Sequence, residues 1–304
     1  MIRPKPLKKG QTVGLVASSS YVEKEKVDAA IIAIKKLGLK VKVGHSCYKC
    51  HGYFAGEDSI RAKDINDMFA DREVKGVFAI RGGYGAARLL DEVNYDAIRR
   101  NPKIFIGYSD VTALHIAINQ NCNLVTFHGP MPATELCNDI DEFTKHYYEK
   151  NIFSKEPLGV VATVKDRMKI IVQGEAEGKL IGGNLSLIVA SIGTKYEIDT
   201  KGKILFIEEI DESPYKIDRM LLQLHQSGKF KDCNGIVLGA FTKCEAKDKN
   251  KSLSIDEVIN EIIVPNNKPT IANIKCGHCM PTLTLPLGVK SRIDGGNGIF
   301  QILE

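Results

Sequence analysis

Apolar residues follow one rhythm in the first half of the chain and another in the second. Residues 12–17 (Thr-Val-Gly-Leu-Val-Ala) form a short apolar run that ends in three serines, Ser18 to Ser20. Such a run, bounded by polar turn residues, predicts a strand buried on both faces. Between 23 and 37, Val27, Ala30, Ile31, Ile34 and Leu37 recur at helical spacing, and Gly38 closes the segment. Residues 39–43 alternate as a strand does, 60–71 read as a helix, and 75–80 are a strand running into Arg81, Gly82, Gly83, Tyr84 and Gly85. Residues 86–90 open a helix, 103–107 form a strand and 110–119 a helix. This alternation predicts an α/β fold: an N-terminal Rossmann-like, largely parallel sheet with helices on both faces. Sites in such sheets lie at the carboxyl ends of the strands.

The rhythm changes near residue 150, where 145–157 is polar and charged. The predicted division is an α/β domain at 1–150, a linker at 151–168 and a smaller β-rich C-terminal domain at 169–304. The second half opens with strand-like pieces at 160–164 and 168–173 and a Gly-rich stretch at 174–183. A helix is expected at 185–192, a strong buried strand at 203–210, an amphipathic helix at 217–227 and a strand at 235–241. Residues 243–252 are a charged loop, and 284–303 read as β structure. No internal repeat is present.

Composition narrows the class. The chain has 304 residues, 43% hydrophobic and 26% charged, the profile of a soluble globular protein of one or two domains. No apolar stretch is long enough to span a bilayer, and the run at 13–17 is too short for a signal peptide, so the expected location is cytoplasmic, with no membrane partner. Net charge is +5, from 42 basic and 37 acidic residues spread along the chain. That argues against nucleic acid and suits a substrate carrying carboxylates. Eight cysteines without an export signal read as reduced thiols that act as small core residues.

Several segments could carry chemistry. At 104–115 an apolar strand ends at Gly107, a turn presents Ser109, and a helix follows, so Ser109 stands beside backbone N–H groups and a helix N-terminus. The segment resembles a nucleophile elbow with Val111 in place of the second glycine; a helix-capping Ser109 or Asp110 suits the same residues. The glycines of 81–85 suit a phosphate cradle, an oxyanion hole or a plain tight turn. Glu208 and Glu209 end a buried strand and must face opposite sides, so one of them can share a site with an imidazole; the pattern does not say which. His278 lies between Cys276 and Cys279, and as a histidine it is suited to general-base work. The pairs Cys276/Cys279 and Cys47/Cys50 also spell a redox or half-metal motif, but their separation is wrong for a zinc finger, and no metal is expected. Loops at 126–131, with His128, and 182–186, with Asn184, could line a pocket or form hydrogen-bonded turns.

Taken in order, the segments at 54–61, 81–90, 107–114, 126–130, 182–185, 205–209 and 277–288 resemble the LD-carboxypeptidase family of serine peptidases, which includes muramoyltetrapeptide carboxypeptidases and microcin C immunity hydrolases. The resemblance runs from about residue 7 to 303. It implies a Ser–Glu–His triad of Ser109, Glu208 and His278 in a site between the domains, with the N–H groups of Gly83 and Asp110 as oxyanion hole. It also implies substrate-side roles for Arg81, Gly82, Asn184 and His128, no cofactor, and a homodimer. The expected reaction is release of terminal D-Ala from a murein tetrapeptide in cell-wall recycling. The alternatives are a microcin C-type hydrolase of peptidyl or aminoacyl nucleotides and, from another class, a non-catalytic small-ligand binder. The chain has no Trp, and 131–150 offers only Phe143, Tyr147 and Tyr148 for stacking on a base, which favours the murein peptide.

Overall fold

The apolar runs of the first half become strands with almost no polar side, because helices flank the sheet they build. The computed structural model describes residues 1–304. Along the chain these are β1 (Thr12–Val16), α1 (Lys24–Lys36), β2 (Lys40–Val43), α2 (Asp58–Ala70), β3 (Val74–Ala79), α3 (Tyr95–Arg100), β4 (Ile104–Gly107), α4 (Thr112–Cys122), β5 (Thr126–His128) and α5 (Glu142–Phe153). The second half holds β6 (Gly159–Thr163), β7 (Lys169–Val172), β8 (Glu175–Asn184), α6 (Leu185–Ala190), β9 (Ile204–Ile210), α7 (Pro214–Gln226), α8 (Lys229–Asp232), β10 (Gly235–Thr242), α9 (Ile255–Ile262), β11 (Thr270–Ala272), β12 (Leu285–Leu287), β13 (Lys290–Asp294) and β14 (Ile299–Ile302). No helix is long and apolar enough to cross a membrane.

Two units form. The first, Met1–Glu156 with Pro281–Gly288, contains a six-stranded sheet in the order β12-β5-β4-β3-β1-β2. β1 to β5 are parallel, and β12 closes the β5 edge antiparallel, with Leu285 opposite His128. The order 2-1-3-4-5 is a doubly wound arrangement whose direction of winding reverses between β1 and β3. The loops that leave β1, β3 and β4 therefore carry the candidate residues: Ser18 to Ser20, Arg81 to Gly85, and Ser109. β4 is buried along its whole length, and Phe105 on it lies 6.1 Å from the Phe69 ring and 5.4 Å from that of His115.

The second unit, Pro157–Met280 with Val289–Glu304, contains an eight-stranded sheet in the order β6-β14-β13-β8-β9-β10-β11-β7. Its centre, β8-β9-β10-β11, is parallel, and the flanking pairs are antiparallel. Hydrophobic residues fill both faces of β9, which is buried from Ile204 to Glu209.

The structure departs from the expected division in three places. Residues 151–168 are not a linker, since they include the end of α5 and all of β6. Helix α5 escapes the apolar pattern because its buried face, Thr144, Tyr148, Asn151 and Ile152, is half polar; Asp141 caps it by accepting the Thr144 N–H at 3.0 Å. Residues 281–288 belong to the first unit, because β12 pairs with β5. The fold also makes a prediction about β4: Phe105→Ala should lower the free energy of unfolding by about 3–5 kcal/mol, the cost of a buried aromatic cavity. Urea denaturation checks this, and a loss under 1 kcal/mol would contradict the packing described.

Candidate functional site

In the first unit, the polypeptide must turn sharply between the end of β4 and the start of α4. Tyr108 is extended, and Ser109 then takes φ +65°, a left-handed conformation that a residue with a Cβ adopts at a cost. A short 3₁₀ turn, Ser109–Val111, leads into α4. Glycines make this possible. A Cβ on Gly107 would sit 2.9 Å from the Ala79 Cβ, and one on Gly82 would sit 2.9 Å from the Ser109 Cβ and 3.1 Å from its hydroxyl oxygen. The 81–85 turn thus abuts the serine. Gly83, at φ +121°, leaves no room for a side chain beside the Ser20 hydroxyl.

Asp110 holds this arrangement. Its side chain is buried, and Oδ2 accepts the Ala86 N–H at 2.8 Å. Burial raises its carboxyl above the ordinary range, opposed by hydrogen bonds from Ser19, Ala86 and Gly85 and by the charge of Arg61. Arg61 is fully buried and donates to the carbonyls of Ser18 at 2.6 Å and Gly85 at 3.0 Å and to Asp58. Arg81 is half-buried and donates only to main-chain oxygens, those of Gly82 at 3.2 Å and Tyr21 at 3.4 Å.

His128, given a substrate-side role by the resemblance, is buried in the first unit. It is 1% exposed, with its ring 5.5 Å from Tyr108 and 6.3 Å from His115, because β5 is an inner strand covered on its far edge by β12. Three residues behind the turn were not anticipated. His115 bonds the Gly107 carbonyl at 2.8 Å, and complete burial pushes its pKa down to about 4, so the imidazole is neutral and donates through Nε2. Tyr108 donates to Glu135 Oε1 at 2.7 Å, and Glu135 Oε2 takes the Met131 N–H at 2.9 Å and the Thr134 hydroxyl at 2.6 Å. A buried His and an acidic residue two dozen positions downstream carry no local motif.

In the second unit, the two consecutive carboxylates of β9 are both buried, Glu208 at 0% and Glu209 at 2% exposure. Strand alternation sends them to opposite faces, and the structure separates their roles. Glu209 accepts from Asn184 Nδ2 at 2.7 Å, from the Ser186 N–H at 2.9 Å and from the Ser186 hydroxyl at 2.6 Å, and so stabilises the start of α6. Asn184 is itself buried and caps α6 by accepting the Leu187 N–H at 3.4 Å. Glu208 accepts from His278, from Nδ1 at 2.7 Å and from the main-chain N–H at 3.2 Å. A carboxylate on Nδ1 sets the tautomer that leaves the Nε2 lone pair for proton transfer.

The His278 loop is tied to the sheet by its backbone. Ala240 N–H bonds the Cys276 carbonyl at 3.0 Å, and Cys279 N–H bonds that of Gly277 at 2.8 Å. Two glycines let the loop approach. A Cβ on Gly239 would lie 2.6 Å from the Cys276 oxygen, and one on Gly277, at φ +107°, 2.5 Å from Glu208 Oε2.

None of the eight cysteines is in a disulfide, and no cluster of three or more His, Cys, Asp or Glu residues has a geometry that could hold a metal ion. Cys47 and Cys276 are buried; burial lifts the first thiol to about 12 and the second well above its ordinary value. The expectation that all eight are core residues fails at Cys50, which is exposed on a turn and donates to the Gly52 carbonyl, and at the half-buried Cys137 and Cys279.

Two measurements check this geometry. Gly277→Ala meets both an unfavourable backbone conformation and the Glu208 carboxylate, whereas Gly193→Ala, at φ +81°, has nothing within 4 Å of its new Cβ. The first should therefore destabilise by about 1–3 kcal/mol more than the second in urea titrations; equal losses would contradict the close approach. Iodoacetamide at neutral pH should label the exposed Cys50 long before Cys47 or Cys276, because burial denies those two both access and the thiolate form. Peptide mapping showing Cys276 labelled first would count against the burial described.

Residues 13–129 match the family model described as the LD-carboxypeptidase N-terminal domain, and 177–293 match the LD-carboxypeptidase C-terminal domain. The probable murein peptide carboxypeptidase of Bacillus subtilis (strain 168) is 44% identical over 96% of this chain and 91% of its own length. The Microcin C7 self-immunity protein MccF of Escherichia coli is 28% identical over 98% of this chain and 95% of its own. The crystal structure of the MccF-like protein from Bacillus anthracis (str. Ames) superposes with a TM-score of 0.89 at 30% identity, covering 100% of this chain and 99% of that one. With both domain models matched and the two-unit α/β architecture shared, the chain belongs to the LD-carboxypeptidase family, a family of peptidase hydrolases.

Proposed function

We propose that this protein is a serine carboxypeptidase that hydrolyses an L,D-peptide bond and releases the terminal D-Ala of a murein tetrapeptide. The observation that carries the reading is the 2.7 Å bond from His278 Nδ1 to a Glu208 carboxylate with no exposed surface. A buried carboxylate that orients an imidazole is the base half of a nucleophilic triad. Ser109 supplies the other half: it stands at φ +65° against the glycine turn, as an activated serine on a strand-to-helix turn does.

The chemistry follows. His278 Nε2 takes the hydroxyl proton of Ser109 as its oxygen attacks the scissile carbonyl. Glu208 keeps the imidazole in the required tautomer and stabilises the imidazolium. The N–H groups of Gly83 and Asp110 hold the developing oxyanion; one such donor is worth roughly 3–4 kcal/mol in transition-state stabilisation. His278 returns the proton to the departing D-Ala amine, and water then hydrolyses the acyl-serine. Arg81, with no carboxylate of its own to pair with, is the candidate for the free C-terminal carboxylate of the substrate.

The likeness to a murein peptide carboxypeptidase at 44% identity supports the substrate. The likeness to MccF supports the second reading, a hydrolase of aminoacyl or peptidyl nucleotides. The aromatic residues of 131–150 speak against that reading, since Tyr148 is fully buried and Phe143 and Tyr147 pack against each other with ring centroids 4.9 Å apart.

Ser109→Ala should lower kcat for D-Ala release from a tetrapeptide by about 10⁴-fold or more while leaving the urea midpoint in place, and Glu208→Gln should lower it less. Wild-type turnover in the Ser109→Ala protein would remove the nucleophile assignment. Absence of labelling by a serine-directed phosphonate would favour a non-catalytic binder, and turnover of aminoacyl-adenylate in preference to tetrapeptide would favour the second reading.

A further inference from the structure

The turn that abuts Ser109 carries an exposed aromatic surface that the reaction does not use. Tyr84, between Gly83 and Gly85, is 57% exposed, and Tyr53 is 60% exposed. Their rings lie 5.6 Å apart at 60°, and both pack on Phe54 beneath them, Tyr53 at 4.3 Å and Tyr84 stacked at 5.8 Å. Phe54 itself is buried. Two tyrosines held out on a buried aromatic base form a pad, and soluble proteins seldom leave such groups in water without a use for them.

The pad is fastened to the candidate nucleophile by a short chain of contacts, all in the first unit. A Cβ on Gly82 would meet the Ser109 side chain at 2.9 Å, one on Gly83 would collide with Ser20, and one on Gly85 would meet the Phe54 ring at 2.7 Å. The Tyr84 N–H donates to Ser20 Oγ at 3.1 Å. Tyr53 sits at the tip of a tight turn closed by paired bonds between His51 and Phe54, at 3.0 and 3.1 Å, and Ala55 N–H bonds the Ser19 carbonyl at 3.0 Å. Ser19 also donates to Asp110. The tyrosines are therefore held at a fixed distance from the nucleophile, with the Tyr84 backbone two residues, at most about 7.6 Å along the chain, from Gly82.

Charge around the pad restricts what it takes. Arg61 and Arg88 lie over Phe54, at 4.8 and 5.0 Å, but both are bonded to Asp58, Arg88 at 2.7 Å. Both guanidiniums are thus engaged by a carboxylate within the protein. The two exposed rings meet edge to face, so they offer no parallel slot for a planar base. They offer instead adjacent ring faces of negative character with hydroxyl groups at the rim, which suit the C–H face and hydroxyls of a neutral pyranose.

We infer that Tyr53 and Tyr84 form a carbohydrate subsite that binds the muramic acid ring at the amino end of the stem peptide. The inference rests on the murein reading above. In a muramoyl tetrapeptide the sugar is separated from the scissile bond by three residues, a span of about 10 Å when extended. A backbone offset of up to about 7.6 Å plus a tyrosine side chain covers that distance. The subsite makes the enzyme prefer sugar-bearing stems to free tetrapeptide.

The test compares kcat/KM for the stem tetrapeptide with a free amino end and for the same peptide carrying N-acetylmuramic acid. The wild-type enzyme should favour the muramoyl form, and Tyr53→Ala should cut that preference about five- to tenfold, the worth of one aromatic contact. Tyr53→Phe should retain most of it. A wild-type ratio near one, or a ratio unmoved by Tyr53→Ala, overturns the subsite whatever the absolute rates. If the wild-type enzyme releases no D-Ala from either peptide, the carboxypeptidase reading fails, and the subsite is judged by calorimetric titration with the muramoyl tetrapeptide. Binding that weakens on Tyr53→Ala then upholds it, and binding that does not overturns it. Tyr53-dependent binding of an aminoacyl-adenylate would replace the sugar by a nucleotide and overturn the assignment.

Discussion

Two carboxylates buried back to back on one strand set the terms for the second unit. Water cannot reach Glu208 or Glu209, so each must find its donors in the protein or lose its charge. On one face the requirement is met by Asn184 and Ser186, which draws the start of α6 against β9. On the other face a single imidazole and its own main-chain N–H meet it at Oε2, which draws the loop after β11 across β10, while Oε1 is buried without a hydrogen-bond partner. The same desolvation that would penalise an unpaired carboxylate makes the Glu208–His278 bond strong and directional. Gly239 and Gly277 are consequences of that bond, since a side chain at either would hold the partners apart.

The first unit uses one carboxylate in a comparable way. Asp110 follows the candidate nucleophile and gathers N–H and hydroxyl donors from the loops after β1 and β3. The adjoining backbone is thereby held in a conformation that Ser109 would not choose alone. Strain at one residue is tolerated because a network around it over-determines the geometry, with His115 on the Gly107 carbonyl and Glu135 on the Tyr108 hydroxyl completing the support.

Much of this is legible in the sequence, and the reasons for the failures are physical. Short apolar runs alternating with helical spacing announce a parallel sheet, because both faces of its strands are covered. A strand ending in glycine, then serine, then a helix announces Ser109. The period of two in a strand says that Glu208 and Glu209 diverge but not which one meets His278, since that depends on a loop some seventy residues away. Helix α5 is hidden because its buried stripe includes Thr144 and Asn151. His128 and Asn184 show a different limit. A polar residue beside glycine reads alike whether its side chain faces a ligand or satisfies the interior, and here both are buried.

The antiparallel strand β12 has a consequence for how the chain acquires its shape. It pairs Leu285 with His128, yet it is made after nearly all of the second unit. During synthesis the β5 edge of the first sheet stays open until residue 287 has left the ribosome, a long-range closure that slows folding and exposes an edge prone to wrong pairing. The amino-terminal sheet is thus complete only once the second unit has almost all been synthesised. Its completion is coupled to emergence of the segment that follows His278, so a chain truncated before the imidazole also lacks a finished first sheet.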